Sequence, residues 1–312
     1  MEKMLERAQG CLLGQLAGDA LGSLVEFQTP EEIRRKYPAG VRELADGGTW
    51  NTIAGQPTDD SEMALMLARK LAENGRYDRE EARKAYIFWL DSQPFDCGYT
   101  VAGGLRGRHN PDSQANGAMM RISPLGIFGA NHDLAQVAEW ARQDATITHI
   151  HPICQQANAL YTMAIAHAVG AGCDAQELYS QILAWSRDMD VDASLLATVE
   201  GARESPPTDY VSQAGWVLIA FGNALWQLLH ADDPEQAVVD TIMRGGDTDT
   251  NAAIAGALLG AVYGRSAIPK QWAESVLDCR PDGDRPDVFR PRPQVFWPVD
   301  ALELAGRLIG SV

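Results

Sequence analysis

The chain has 312 residues, of which 46% are hydrophobic, and a formal net charge of −16 at pH 7. This apolar share is ample for a substantial buried core, whereas the acidic balance argues against nucleic-acid binding, which requires a clustered basic surface. The longest run without a polar residue, residues 252–264, is shorter than the roughly 20 residues that a membrane span needs, and the start of the chain has no long apolar run of the kind that marks a signal peptide.

The first predicted element is a helix within the segment RAQGCLLGQLAGDALGSLVEF, residues 7–27, where apolar residues recur at helical spacing and Glu26 follows the helix. Glycines recur every fourth residue along it and form one stripe: Gly10, Gly14, Gly18 and Gly22. Because glycine costs roughly 1 kcal/mol against alanine inside a helix, the stripe predicts the close approach of another helix. A second set repeats the spacing near the other end of the chain: Gly256, Gly260 and Gly264.

Helical spacing continues along most of the remaining chain. The further predicted helices are Ser61–Asn74, Arg79–Ser92, Asp133–Arg142, Ile153–Val169, Ala175–Trp185, Val191–Ala202, Val217–His230 and Pro234–Met243, followed by one that begins near Asn251. Connections rich in Gly, Pro, Asn and Asp are predicted to be loops: Thr29–Pro57, Pro94–Pro124 and Arg280–Pro298. Strand patterns are nearly absent, and no composition shift marks a linker. The sequence therefore predicts an all-α fold, with residues 1–312 forming a single compact multi-helix domain that carries long functional loops.

Two clusters of carboxylates and hydroxyls each precede a predicted helix: Thr58-Asp59-Asp60-Ser61 and Asp247-Thr248-Asp249-Thr250. One interpretation is helix capping, with Asp59 and Glu62 forming a capping box and Asp249 or Thr250 capping the later helix. One acceptor is enough for a cap, however, and the concentration of carboxylates costs repulsion that a bound cation would relieve. The surplus of acidic groups favours a metal site.

The ligands that the two clusters offer are hard oxygens, with no adjacent cysteine or histidine. That set suits Mg²⁺, Mn²⁺ or Ca²⁺ and argues against zinc or copper. Gly245 and Gly246 would allow a turn in which Asp247 and Asp249 converge. If both clusters face one cavity, their carboxylates can hold two divalent cations roughly 3.5–4 Å apart.

Two other motifs share part of this pattern. DTDTN is similar to the DxDxT loop of haloacid-dehalogenase-type phosphatases, but that motif follows a buried strand, whereas residues 235–246 have a helical pattern and Asn251 stands at the fifth position. The DxD of sugar-nucleotide transferases matches as well. Neither alternative explains the cluster at Thr58–Ser61.

Candidate ligand-binding residues lie between the clusters. Asn116-Gly117 can form a tight turn whose backbone amides point at an anion, or an ordinary loop turn. Arg121 can bind phosphate or be a buried ion-pair partner. From the sequence alone, His149 is expected to be a hydrogen-bonded structural histidine, and Trp50 is expected to pack in the core and not to stack on a ligand ring.

Five segments, taken in order, resemble the ADP-ribosylglycohydrolase family: GCLLGQLAGDALGSLVEF, GQPTDDSEM, NGAMMRISPLG, THIHP and RGGDTDTNAAIAGALLGAVYG, which span about residues 8 to 272. The family includes dinitrogenase-reductase-activating glycohydrolases and the hydrolases of ADP-ribosyl-arginine and ADP-ribosyl-serine. The resemblance implies the all-α fold of that family and a site for two divalent cations, Mg²⁺ or Mn²⁺. It also implies hydrolysis of the glycosidic bond between ADP-ribose and an acceptor.

The resemblance assigns metal ligands and catalytic groups by position. The implied metal ligands are Thr58, Asp59, Asp60, Asp247, Asp249 and Thr250. Glu26 resembles the acidic residue of the family that is implicated in catalysis, and Asp96 resembles the aspartate of its DIG loop. Cys97 stands in that loop in place of an aliphatic residue, which is a departure from the family pattern.

The substrate side is assigned in the same way. Asn116, Gly117 and Ala118 resemble the diphosphate-binding loop, and Arg121 remains either a phosphate contact or an ion-pair partner. His149 resembles a contact for the distal part of ADP-ribose.

The implied activity is a metal-dependent hydrolysis at C1″ of ribose, most simply on ADP-ribosyl-arginine in a protein. Two cations would hold the ribose hydroxyls and lower the pKa of a water, while Glu26 would transfer a proton. The alternative is an ADP-ribose-binding or immunity protein that neutralises an ADP-ribosylating toxin, partly by occlusion. An intact ligand set favours the enzyme, because a pure binder has no need of it.

The expected partner is an ADP-ribosylated protein or small-molecule acceptor, and a cognate ADP-ribosyltransferase toxin is a second candidate partner. Neither nucleic acid nor a membrane is an expected partner. The five cysteines include no CxxC pair. That usage fits reduced thiols and predicts a cytoplasmic protein.

Overall fold

The computed structural model describes residues 1–310, in which fifteen α-helices and two 3₁₀-helices account for the helical structure. The α-helices in chain order are α1 (Glu2–Gly22), α2 (Pro30–Lys36), α3 (Asp59–Asn74), α4 (Arg79–Asp91), α5 (Tyr99–Leu105), α6 (Ser123–Gly129), α7 (Leu134–Ala145), α8 (Pro152–Gly170), α9 (Ala175–Asp188), α10 (Ala193–Gly201), α11 (Val217–His230), α12 (Pro234–Met243), α13 (Thr248–Tyr263), α14 (Lys270–Asp278) and α15 (Ala301–Leu308). The 3₁₀-helices are Arg265–Ala267 and Gln294–Phe296. Extended pairing within the described residues is limited to two isolated bridges, one of which joins Ala115 to Trp216. The predicted all-α fold is confirmed.

The centre of the fold is an antiparallel pair formed by α1 and α13. A Cβ added at Gly14 of α1 would overlap the backbone carbonyl of Gly256 in α13, and one added at Gly256 would overlap that of Gly14. The predicted close approach of helices is therefore confirmed, and the two glycine sets are each other's partners. Gly22, at the end of α1, packs in the same way on the backbone of Asp249. The glycine seam thus carries the end of α1 directly to the acidic first turn of α13.

The described residues share a connected hydrophobic core that extends from Ala8 to Ile309. This continuity favours the single domain predicted for residues 1–312. No helix within residues 1–310 combines the length and the apolar character needed to cross a lipid bilayer. The five cysteines have free thiols, and the cytoplasmic location stays a prediction.

The helices predicted from apolar spacing are present, most with small shifts at their ends, although α1 already begins at Glu2. Helices α14 and α15 lie in segments for which no element was predicted, and the predicted loops contain further helices. The loop predicted at Thr29–Pro57 contains α2, and the loop predicted at Pro94–Pro124 contains α5. Each of these helices has only seven residues, too few for apolar spacing to be recognised. The start of α2 was nevertheless visible in the sequence, because Thr29 and Glu32 form a capping box around Pro30.

The C-terminal segment, residues 280–298, packs across α3 and the loop that precedes it. Arg292 forms a buried ion pair with Glu62 of α3, at 2.8 Å between the nearest nitrogen and oxygen. Arg290 donates to the carbonyl oxygen of Trp50 at 2.8 Å, and its own carbonyl accepts from Gln56 at 2.6 Å. This segment was predicted to be a loop. The structure adds that it fixes the walls of the site described next.

Candidate active site

A cavity of about 560 Å³ opens where the first turns of α3 and α13 meet the end of α1. Six carboxylates line it: Glu26, Asp59, Asp60, Asp96, Asp247 and Asp249. The two acidic clusters, which are far apart along the chain, therefore face a single cavity.

The glycine pair before the second cluster shapes its turn. Gly245 (φ +73°) and Gly246 (φ +75°) adopt left-handed backbone conformations, which favour glycine. A Cβ at Gly246 would also overlap the backbone of Tyr210. The turn places Asp247 immediately before α13 and Asp249 in its first turn. Both carboxylates therefore reach the cavity, as the glycine pair had suggested.

The first turn of α3 is capped from α1 and not by its own side chains. Thr58 is the N-cap residue but makes no side-chain cap bond. Instead, Asp19 accepts from the Thr58 amide at 3.2 Å, the Thr58 hydroxyl at 2.8 Å and the Ser61 amide at 3.1 Å. The alternative in which Asp59 and Glu62 form a capping box is wrong, because Glu62 bonds to the C-terminal segment. Capping therefore does not account for Asp59.

The carboxylates form two groups of three that share one member. Oxygens of Asp19, Asp60 and Asp249 lie within 4.8 Å of one another, and so do oxygens of Glu26, Asp247 and Asp249. Asp19 was not predicted from the sequence. The signal available for it in the sequence was the single acidic residue in the glycine-striped segment, residues 7–25. The two adjoining groups provide donors for two cations side by side.

These residues fit hard divalent cations. Asp60 Oδ1 and Asp249 Oδ2 are buried and have no hydrogen-bond partner within residues 1–310. Burial, and then the charges of neighbouring carboxylates, raise the pKa values of Asp59, Asp60 and Asp249 well above the ordinary range. In the described part of the chain no lysine or arginine lines the cavity to offset these charges. Bound cations would compensate the crowding and would use the unpartnered oxygens.

The two predicted threonine ligands differ in position. Thr250 lines the cavity beside Asp249. Thr58 is fully buried behind it, and its hydroxyl lies 2.8 Å from Asp19 and 3.1 Å from Asp60. The structure thus brings Thr250 directly to the cavity, whereas Thr58 contacts the carboxylate groups from behind.

Glu26 lies at the cavity wall, just beyond the end of α1. The indole N–H of Trp50 donates to its Oε2 at 2.6 Å. Burial, followed by the charges of Asp96 and Asp247, raises the pKa of Glu26 to about 9. Burial also raises the pKa of Asp96 to about 6. The structure therefore brings both predicted catalytic acids to the same cavity and gives Trp50 a specific role as a hydrogen-bond donor.

The Asn116-Gly117 turn forms another wall. The Asn116 side-chain amide donates to Asp247 Oδ2 at 2.6 Å, and its backbone amide donates to the Gly215 carbonyl at 2.9 Å. A Cβ at Gly117 would press on the His149 ring and on Val101, so glycine lets this turn approach the imidazole. Asn116 therefore orients a carboxylate of the acidic cluster in addition to lining the cavity.

Two predicted substrate contacts do not line the cavity. Ala118 is fully buried. Arg121 is also fully buried, and its guanidinium bonds to Asp144 at 3.1 Å. Arg121 is therefore a buried ion-pair partner and not a phosphate contact, because its guanidinium is bonded within the core. His149, in contrast, lines the cavity.

The mouth of the cavity carries exposed aromatic side chains. Phe27 is 62% exposed and adopts φ +65°, which is uncommon for a bulky residue; its amide donates to the Gly246 carbonyl at 2.8 Å. The Phe27 ring meets Trp50 edge to face at 6.4 Å. Tyr99, at the start of α5, is 99% exposed. An aromatic rim therefore adjoins Glu26.

Known proteins with this architecture identify the family. The family model described as ADP-ribosylglycohydrolase matches residues 1–303. The chain is 32% identical to the ADP-ribosyl-[dinitrogen reductase] glycohydrolase of Rhodospirillum rubrum, with 88% of this chain and 91% of the relative covered. It is 28% identical to the ADP-ribosylarginine hydrolase Tri1 of Pseudomonas putida, with 88% and 75% covered.

Similarity extends to a human protein and to a solved structure. The ADP-ribosylhydrolase ARH3 of Homo sapiens is 26% identical, with 88% of this chain and 90% of the relative covered. A structure named "ADP-ribosylglycohydrolase-related protein complex" superposes with a TM-score of 0.81 at 26% identity and covers 100% of this chain and 99% of that chain. The chain therefore belongs to the ADP-ribosylglycohydrolase family, whose members hydrolyse the glycosidic bond between ADP-ribose and an acceptor.

Proposed function

We propose that this protein removes ADP-ribose from arginine side chains of modified proteins, with two divalent cations, Mg²⁺ or Mn²⁺, in the acidic cavity. The main support for metal dependence is the pair of adjoining carboxylate groups that share Asp249. Their buried unpartnered oxygens and the lack of a lining basic residue in residues 1–310 support cations as the missing counter-charge.

The predicted ligands would divide between the two groups. Asp60 and Asp249 would hold one cation, and Asp247 with Asp249 would hold the other. Asp59 and Thr250, which line the same cavity, would complete the oxygen set, and Thr58 would support it from behind. Cations of this kind supply two effects, the fixing of ribose hydroxyls and a lower pKa for a nearby water.

The protein's own groups would carry the proton transfers at C1″. Glu26 is held at the wall by the Trp50 indole at 2.6 Å, which fixes the direction of its carboxyl group. A group so placed can protonate the leaving nitrogen or take a proton from the attacking water. Asp96 lies within electrostatic reach of Glu26 and is the second candidate for proton transfer.

The Asn116-Gly117 turn and His149 would bind the diphosphate and distal part of ADP-ribose. Both line the cavity. Ala118 would contribute only through the shape of the turn, since its side chain is fully buried. In this proposal the acceptor would occupy the part of the cavity beside Glu26.

The rim favours an arginine acceptor. A guanidinium is planar and cationic, and it stacks favourably on aromatic faces. Phe27 and Trp50 supply such faces beside the acids Glu26 and Asp96. The relative from Pseudomonas putida is named for ADP-ribosylarginine, which agrees with this acceptor. A toxin partner has no comparable support and stays a prediction from the sequence.

The direct test is hydrolysis of defined peptides that carry ADP-ribose on arginine or on serine. We expect release of ADP-ribose from the arginine peptide with Mg²⁺ or Mn²⁺, and loss of turnover in EDTA that is restored by added metal. Full turnover in EDTA would overturn the metal dependence. Turnover of the serine peptide alone would overturn the acceptor assignment but not the activity.

A further inference from the structure

His149 is the histidine whose ring lines the cavity while one of its nitrogens has no partner. The ring is fully buried, and Nε2 has no hydrogen-bond partner among the residues that the structure describes. Its other nitrogen, Nδ1, lies 2.8 Å from the Thr148 hydroxyl. Whether Nε2 carries a proton therefore decides what kind of ligand atom this ring can bind.

The Thr148 hydroxyl has two neighbours, and only one of them can accept its proton. Arg121 Nη1 lies 2.8 Å from Thr148 Oγ1 and can only donate. Within residues 1–310, the remaining partner of the hydroxyl is Nδ1 of His149. The hydroxyl proton consequently points at Nδ1, which must then be the unprotonated nitrogen of the ring. A proton on Nδ1 would instead leave a buried hydroxyl proton without an acceptor.

Arg121 is itself held so that this direction cannot reverse. Its guanidinium pairs with Asp144 at 3.1 Å and packs on the Tyr86 ring at 4.4 Å, and the Tyr86 hydroxyl donates to Asp144 at 3.0 Å. Arg121 also donates to the Gly117 carbonyl at 3.3 Å, so the same side chain supports the turn that touches the imidazole. These partners keep Arg121 a donor towards Thr148.

We infer that Thr148, held by Arg121, is a positioning residue that fixes neutral His149 in the tautomer with its proton on Nε2, which makes the ring a hydrogen-bond donor to an oxygen of bound ADP-ribose. The ligand in this inference rests on the proposed function, whereas the tautomer rests on the geometry alone. Burial, and then the charge of Arg121, lower the pKa of His149 to about 3, so the ring is neutral at physiological pH. A fixed donor suits phosphate and hydroxyl oxygens, which accept.

Nitrogen NMR of the ligand-free protein tests the tautomer without any activity. With histidines labelled by ¹⁵N, the His149 signals are those lost in His149→Gln. We expect a protonated, pyrrole-type Nε2 and an unprotonated, pyridine-type Nδ1 in the wild type and in Thr148→Ser, which keeps the hydroxyl. In Thr148→Val, which is similar in shape but lacks the hydroxyl, we expect a mixture of tautomers. A proton on Nδ1 in the wild type would overturn the inference.

Calorimetry with free ADP-ribose in saturating Mn²⁺ tests the consequence. We expect Thr148→Val to weaken ADP-ribose binding roughly ten- to a hundredfold, Thr148→Ser to bind nearly as wild type, and Mn²⁺ affinity to be the same in all three. Equal ADP-ribose affinity in Thr148→Val would overturn the positioning role. Wild-type protein that binds no ADP-ribose would refute the proposed function instead, while the NMR result would still decide the tautomer.

Discussion

Glu26 combines two properties that a substitution can separate. It is held by Trp50 at the wall, as a proton-transfer group would be, but its carboxylate also lies within 4.8 Å of Asp247 and Asp249. From the sequence it was placed outside the ligand motifs. Its position in the structure makes metal content an essential measurement in any experiment on its role.

For Glu26→Gln we expect kcat to fall by about 10²–10⁴, the usual contribution of a general acid or base. The amide keeps the shape and can still accept from Trp50, but it cannot carry a proton between the leaving atom and water. Single-turnover assays measure the chemical step, and calorimetry measures ADP-ribose and Mn²⁺ binding, which we expect to stay near wild type. Loss of Mn²⁺ would make Glu26 a ligand, and unchanged turnover would transfer its role to Asp96. Exposed Glu31 provides the matched control, Glu31→Gln.

The repulsion among the buried carboxylates should lower the stability of the metal-free protein. Asp60 is buried beside Asp19 and Asp249, and its raised pKa reflects burial and then its neighbours' charges. Without metal, Asp60→Asn removes one of these charges, so we expect it to stabilise the protein by about 0.5–2 kcal/mol. With metal, the same change removes a ligand, so Mn²⁺ should no longer raise the melting temperature and hydrolysis should be lost.

Thermal unfolding in EDTA and in Mn²⁺ distinguishes these effects. Glu303→Gln, at an exposed position on α15, should melt as wild type under both conditions. If Asp60 were only a structural group of the α3 terminus, Asp60→Asn would be destabilised in EDTA and would keep its response to Mn²⁺. That pattern would contradict the metal assignment.

The residues that the sequence could not identify share one physical feature. The ligand motifs were recognisable because their acids are adjacent in the chain, whereas Asp19 acts on Thr58, which lies 39 positions away. Arg121 was left between two roles because its partner, Asp144, is 23 positions away. Neither pairing has a local pattern, since each depends on which helices pack together.

At the scale of elements, the seam between α1 and α13 determines where the site forms. The glycine spacing predicted a close approach, but the sequence did not say that the two sets face each other. Antiparallel packing of these sets brings Gly22 onto Asp249, which aligns the end of α1 with the first turn of α13. The short helices α2 and α5 escaped prediction because seven residues are too few for apolar spacing to be recognised.

Gly14→Ala tests the seam against helix propensity. Propensity alone would favour alanine by roughly 1 kcal/mol, but the added Cβ would overlap the Gly256 carbonyl. We expect a net loss of about 1–3 kcal/mol in the free energy of unfolding, as for overpacked cores.

Gly201→Ala is the matched control, because Gly201 ends α10 with no atom within 4 Å of an added Cβ. That variant should be stabilised by about 0.4–1 kcal/mol. Equal responses at the two positions, measured by urea unfolding, would contradict close packing at the seam.

At the scale of the whole molecule, the C-terminal segment, residues 280–298, supports the wall of the acidic cavity. Arg290 holds the Trp50 carbonyl, and Trp50 in turn holds Glu26. The sequence predicted only a loop here. Only the fold shows that Arg292 reaches Glu62, which is 230 positions earlier in the chain.

Arg292→Ala should therefore destabilise the whole protein and not only a surface loop. The Arg292 and Glu62 side chains are 4% and 2% exposed. Removal of the arginine therefore leaves a buried carboxylate whose charge has no counter-charge, although the Trp89 indole N–H still donates to it at 2.8 Å, and we expect a cost of about 3–5 kcal/mol. Replacement of both partners, Glu62→Leu with Arg292→Met, should recover part of this loss, because a buried ion pair can be exchanged for apolar packing at little cost while the buried Trp89 indole N–H loses its acceptor. Arg280→Ala removes an exposed arginine of the same segment and should change the free energy of unfolding by less than about 1 kcal/mol. Urea unfolding of the four proteins measures these differences. An Arg292→Ala variant as stable as Arg280→Ala would show that the segment contributes little to the fold, and Trp50 would then depend on other contacts for its position beside Glu26.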